Sequence, residues 1–208
     1  NYIPHPDQGY WMMETQVTQD LYRAVTGQSP SRFEGDQLPV ECVSWEDGIA
    51  FCNALSKKLG LMPAYKGTDN NCELVSGANG FRLPFEAEWA FAAKGGQDFK
   101  YAGSDNLNEV GWYGSRNGSG NVTNGRTQPV AQLKPNGYGL YDMSGNVWEW
   151  CADDYDNPGQ HCLGASLRAH RGGSWDHYAG CCVVSGRFRN SPVNRNSFLG
   201  LRLSRSLG

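Results

Sequence analysis

Only three stretches of this chain carry the start and stop signals of a helix, and nothing between them keeps a hydrophobic period for long. The first follows Thr18 as N-cap, runs through Leu21, Tyr22 and Val25, and stops at Gly27. The second has Ser44 as N-cap, Glu46 and Asp47 in its first turn, and Ile49, Phe51, Cys52 and Leu55 as its apolar stripe. Lys57 and Lys58 close its last turn, with Gly60 past the end. The third is predicted to begin with Pro84 at its first position, to run through Trp89 and Phe91, and to end at Gly95-Gly96. A chain so poor in periodic sequence must fold largely through loops. Its 27 glycines in 208 residues, about 13% against a usual ~7%, supply the turns, and seven tryptophans supply bulk to pack under them. Disordered chains are poor in aromatics, so this is a folded protein.

The remaining predicted elements are short strands at Tyr10–Thr15, Asn146–Cys151, Leu167–Trp175 and Phe198–Ser204. The stretch from Gly103 to Gly125 reads as a long loop without period. With no repeat and no linker, residues 1–208 are read as one α+β domain. Asn117 and Asn121 head glycosylation sequons, which are frequent in Asn-rich loops and carry little weight.

Lys and Arg number 18 against 21 Asp and Glu, a net charge of −3. That leaves no basic excess to neutralise phosphates, so no nucleic-acid partner is expected. Mean hydropathy is −0.58, and no apolar run approaches the roughly 18 residues of a membrane span. The chain opens at Asn1 without a leader, as a processed or truncated chain would. Of the seven cysteines (Cys42, Cys52, Cys72, Cys151, Cys162, Cys181, Cys182), none forms a Cys-x-x-Cys. Cys52 and Cys151, inside apolar runs, read as small buried hydrophobes, and a full disulfide framework is not expected.

Several segments stand in a fixed order: Met13-Glu-Thr-Gln-Val-Thr, Pro39-Val-Glu-Cys-Val-Ser-Trp, Phe81-Arg-Leu-Pro-Phe-Glu-Ala-Glu-Trp89, Pro135-Asn-Gly-Tyr-Gly-Leu-Tyr-Asp-Met-Ser-Gly-Asn-Val-Trp-Glu-Trp150, Arg171-Gly-Gly-Ser-Trp175 and Gly200-Leu-Arg-Leu203. Together they resemble the formylglycine-generating-enzyme (sulfatase-modifying-factor) domain family. The resemblance implies a C-type-lectin-like fold of the formylglycine-generating variety. Glu86 and Glu88, two apart in a first turn, would point away from each other and are not expected to form a catalytic pair. Trp148-Glu149-Trp150 reads as core aromatics framing a polar link. Asp142, Gly145, Val147 and Glu149 offer two carboxylates and backbone carbonyls, a set suited to calcium. The resemblance implies a structural calcium at these positions. The family's other calcium site has no clear counterpart between Gly111 and Gln128.

The family's oxidase chemistry needs two cysteines five apart, after the Gly-Gly-Ser-aromatic motif, to bind copper(I), a thiolate-seeking ion. Counting on from Trp175 gives His177 and Cys182, and counting back from Pro192 gives Ser174 and Ala179. Neither places two cysteines, so no copper and no catalysis are expected. The related sulfoxide synthases use a histidine-rich iron site, but His5, His161, His170 and His177 lack ligand spacing.

Residues 176–208 contain no Lys, Glu, Gln, Met or Trp. These five types make up 35 of the 208 residues, so five or six would be expected in 33 positions. All five need a purine as third codon base, the trace left by randomising Asn codons at their two adenines. The segment 171–204 thereby resembles the variable region of diversity-generating retroelement proteins. The implied variable, ligand-binding positions are Asp176, His177, Tyr178, Gly180, Cys181, Val183, Gly186, Phe188, Asn190, Ser191, Val193, Asn194, Asn196, Ser197 and Phe198, with Ala179, Cys182, Arg187 and Pro192 fixed between them. Tyr178 and Phe188 would act as rigid aromatic anchors and Asn and Ser as adaptable hydrogen-bonding groups. Val183 and Val193 are expected to pack inward. The function implied is a non-enzymatic display protein, a monomer held at the cell surface by a lipid anchor N-terminal to Asn1, binding a protein or other surface ligand. The alternatives are a formylglycine-generating oxidase acting on sulfatase cysteines and a fixed-specificity glycan-binding module.

Overall fold

A computed structural model describes residues 1–5, 9–67, 71–114, 123–161 and 164–207. Asn117 and Asn121, which head the sequons, and Cys162 lie outside them. Helix α1 spans Gln19–Thr26. The Thr18 side chain accepts from Leu21 N, and Gly27 ends the helix in the left-handed region at φ 74°. Helix α2 spans Trp45–Lys58 behind a capping box: Ser44 Oγ accepts from Asp47 N at 3.0 Å and Asp47 returns to Ser44 N at 2.8 Å.

Helix α3 spans Glu86–Lys94, two residues later than the Pro84 start predicted. Phe85 stays extended as N-cap and has no side-chain acceptor to offer. The first-turn donors are met from elsewhere: Glu88 accepts from Phe85 N, and Asp153 accepts from Glu86 N at 2.6 Å. A short helix α4, Leu107–Val110, interrupts the loop expected from Gly103.

Strands β1 (Tyr2–Ile3) and β2 (Tyr10–Met12) from the N-terminus join β10 (Ser204–Ser206) from the C-terminus and β5 (Phe81–Arg82), in the order β1-β2-β10-β5. A small ribbon pairs β3 (Tyr65–Lys66) with β4 (Glu73–Leu74). The second four-stranded sheet runs β8 (Arg187–Asn190), β7 (Arg168–Arg171), β6 (Trp148–Asp154), β9 (Leu199–Gly200), all antiparallel except β6 with β9. All seven residues of β6 are buried. Its period of two sends Trp148, Trp150 and Ala152 into one apolar cluster with Ile49 and Phe51 of α2. Cys151 goes into another with Trp89 and Ala92 of α3. Trp45 Nε1 donates to Cys151 O at 2.9 Å, tying α2 to this strand.

All four strand expectations change: β2 stops at Met12 and not Thr15, β6 is shifted to Trp148–Asp154, and the other two change more. The strand predicted at Leu167–Trp175 stops at Arg171, because Gly172 (φ 101°) and Gly173 (φ 80°) turn the chain where a β-carbon would be strained. The strand predicted at Phe198–Ser204 is two, β9 and β10, in different sheets. Between them Leu201, Arg202 and Leu203 are all buried as the chain crosses the core. Among the described residues Cys42, Cys52, Cys151, Cys181 and Cys182 are free thiols, and Cys52 and Cys151 are buried as expected.

Candidate functional site

Three neighbouring strands bring an aromatic floor to one face of the second sheet. Trp148 on β6, His170 on β7 and Phe188 on β8 stand side by side, with Trp148 4.8 Å from both other rings, centroid to centroid. The floor continues through His177, 5.6 Å from Trp148, to Phe198, 5.0 Å beyond. Edge-to-face and tilted geometries of this kind are the favoured ones for aromatic pairs. Trp148 and His170 are buried beneath Phe188, which is 41% exposed. Neither belongs to the positions that codon bias suggests. The alternation along Trp148-Glu149-Trp150 puts both indoles on one face but does not say which partner strand carries Phe188.

His177 is the polar element of this floor. Its Nδ1 lies 2.7 Å from Ser174 Oγ and accepts from Trp148 Nε1 at 3.3 Å. An indole only donates, so Nδ1 is the unprotonated nitrogen and the ring proton sits on Nε2. Burial pulls its pKa below the ordinary imidazole value while neighbouring Asp176 pulls the other way. His170 goes further: burial takes it down to about 3.

Of the fifteen candidate positions, fourteen reach solvent. The exception is Cys181, turned under by a 3₁₀ turn at Ala179–Cys181 into the cluster around Trp148. Val183 packs against Tyr101, Leu107 and Cys182 as expected. Val193 does not pack inward; it is 55% exposed. Pro192 takes the inward place, its carbonyl accepting from Trp45 N, and the turn closed by Asn194 N on Ser191 O leaves Val193 outside. The framing residues Arg171 to Trp175 and Leu199 to Ser204 are all buried.

The backbone of the segment is tied down by main-chain bonds to the rest of the chain. Gly114 N donates to His177 O, Val184 N to Lys100 O, Cys42 N to Asn196 O and Trp148 N to Phe198 O. Arg171 and Arg187 both donate to Glu86, at 2.8 and 2.7 Å, anchoring β7 and β8 to the start of α3. Glu88 turns the other way to Arg82, so the two acids do point apart. Cys181 and Cys182 face different clusters, and burial pushes the Cys182 thiol up to about 12. A thiol so protonated is a poor nucleophile and a poor metal ligand.

The oxygens expected to hold calcium do converge. The carbonyls of Asp142, Gly145 and Val147 and Oε1 of Glu149 all point at one spot, and Gln16 Nε2 stands there, 3.2, 3.3, 2.9 and 3.0 Å from them. Calcium needs 2.3–2.6 Å to its oxygens, whereas these distances are those of an amide donor to its acceptors. One oxygen of the Asp142 carboxylate accepts from Ala131 N at 2.8 Å, and its Oδ1 is buried without a hydrogen-bond partner. Glu149 is further held by Arg202 and by Trp89 Nε1 at 2.6 Å. Gln16 was not a candidate; its separation from Glu149 by 133 positions hides it in the sequence.

Comparison with known proteins follows the same lines. The Sulfatase-modifying factor enzyme 1-like domain matches residues 5–207. The solved structure of Treponema denticola variable protein 1 superposes with a TM-score of 0.84 at 40% identity, over 96% of this chain and 85% of that one. Chaperone protein LppX of Paenibacillus barcinonensis is 36% identical over 95% of this chain and 80% of its own length. The Inactive C-alpha-formylglycine-generating enzyme 2 of Mus musculus is 32% identical over 92% of this chain, which spans only 57% of that relative. The fold is the C-type-lectin-like fold in its formylglycine-generating variety, as the motifs implied.

Proposed function

The chain belongs to the sulfatase-modifying factor enzyme 1-like domain family, and from that premise we propose that it is a non-enzymatic display protein that binds its targets through a diversified surface at residues 176–198. One observation carries this reading: fourteen candidate positions reach solvent while the main chain between them is pinned by bonds to main-chain groups elsewhere and to the side chains of Ser144, Arg171 and Trp175, none of which is a candidate position. Such a segment can change its side chains without losing its shape. Phe188 and Tyr178, both exposed, are the rigid apolar anchors. His177, with its Nε2 proton, is a fixed donor among them, and Asn190, Ser191, Asn194 and Ser197 are the adaptable rim. The likeness to a Treponema variable protein supports the reading, and the buried, divergent Cys181 and Cys182 count against an oxidase. In this reading the protein works at the cell surface.

The encoding locus tests the diversification. It should hold a near-repeat of the DNA for residues 171–204 that differs only where the repeat has adenine, beside a reverse transcriptase gene; absence of both would sink the reading. A library randomised at the solvent-reaching candidate positions other than Val183 should stay folded and yield binders to unrelated proteins. Oxygen-dependent conversion of a cysteine-containing sulfatase peptide by the copper-loaded protein would overturn the non-enzymatic assignment.

A further inference from the structure

Three carbonyl oxygens and a carboxylate oxygen aimed at one buried spot repel one another unless something positive sits between them. In this chain every one of the four lies within hydrogen-bond reach of Gln16 Nε2. Gln16 is fully buried, and an amide nitrogen carries two protons, so each must be shared between acceptors. The orientation is decided by the ring itself. Turned over, the Gln16 carbonyl would face four oxygens with no donor between. As it stands, Gln16 Oε1 is the atom left buried without a partner. The charge is accounted for as well. Glu149 receives Arg202 Nε on Oε2 at 2.9 Å and a second Arg202 nitrogen on Oε1 at 3.0 Å, with both side chains fully buried. The one carboxylate of the ring is therefore already neutralised by a cation of the protein's own.

We propose that the Gln16 carboxamide takes the place of a divalent ion in this chain, closing the 142–149 ring with its NH2 group, so that the segment is locked by a side chain and calcium is not needed. The consequence reaches the candidate binding surface. Trp148 lies within the locked segment, between two of the ring residues, and its indole is the centre of the aromatic floor. The floor is then set by a contact from the start of the chain and does not vary with the ionic conditions outside a cell.

The side-chain NH2 of Gln16 is itself the probe. In a ¹⁵N–¹H spectrum of the whole protein, the NH2 pair assigned by its loss in Gln16→Met should exchange slowly with solvent and stay unmoved between EDTA and millimolar calcium. Movement or loss of that pair on adding calcium overturns the proposal. Gln16→Glu sharpens the case, because it adds a second carboxylate oxygen to the ring. It should melt lower than the native chain in EDTA and recover by about 5 °C more than the native chain does when calcium is added. Equal calcium responses of Gln16→Glu and the native chain overturn the proposal too. Should Gln16→Glu not fold, the NH2 pair decides alone.

Discussion

Two irregular stretches of backbone, 142–149 and 176–198, lie side by side and draw on side-chain and main-chain partners in different proportion. The first is fixed largely by buried side chains that arrive from far along the sequence: Gln16 at the ring, and Trp89 and Arg202 on Glu149. The second is fixed chiefly through its own main chain, whose N–H and C=O groups bond to the backbone of Gly114, Lys100, Cys42, Trp45 and Trp148, with the side chains of Ser144, Arg171 and Trp175 donating to further carbonyls. Buried backbone groups must find partners in either case. What differs is who supplies them. Side-chain partners make the first stretch intolerant of substitution, and main-chain partners free the side chains of the second.

The largest expected effect is in the first stretch. Arg202 is fully buried and, besides Glu149, binds the carbonyls of Met13, Glu14 and Tyr141. Arg202→Met should cost about 3–5 kcal/mol, because it strands a buried carboxylate, as read from urea unfolding. A loss below about 1 kcal/mol would mean that the ring is held by Gln16 and Trp89 alone.

The floor shared by both stretches should show itself in pH. His170 is neutral when folded, at about 3, and returns to an ordinary value of 6.5 on unfolding. The unfolded chain therefore binds the extra proton as pH falls below about 6.5, and stability falls with it. At pH 5 the loss from this group is about 2 kcal/mol. His170→Phe should flatten that part of the stability profile, and an unchanged slope between pH 7 and pH 5 would show that His170 is not the source.

Asp47 sits where the helix scaffold meets the second stretch, accepting from Ser44 N and pairing with Arg195. Asp47→Ala should cost about 1 kcal/mol through the lost cap. Arg195→Ala should cost under about 0.5 kcal/mol, since that pair is largely exposed. Equal losses would give the ion pair more weight than its exposure allows. The smallest effects belong to the variable rim: Val193→Ser, Asn194→Ala and Ser197→Ala should each stay within about 0.5 kcal/mol in thermal unfolding. A larger loss at any of them would remove it from the freely variable set.

Local signals were reliable where local chemistry decides. Thr18 and Ser44 start their helices as N-caps, and Gly27 stops α1, because capping bonds span three or four residues and can be seen in a short window. They failed where a distant partner competes: Asp153 helps set the start of α3 from 67 positions away. The inward place expected for Val193 went to Pro192, and the outward place expected for Cys181 was lost to the core. Both outcomes depend on how a turn is laid against the body of the molecule.

The sequence by itself determined the family motifs, the helix caps and the segment whose residue alphabet departs from the rest, since each is written in consecutive residues. Tertiary structure alone decided that Trp148, His170 and Phe188 form one floor, and that Gln16 stands at the centre of a ring 126 to 133 positions away. Those contacts exist because buried polar and aromatic groups take whatever partner folding brings within reach, and sequence distance does not limit which one that is.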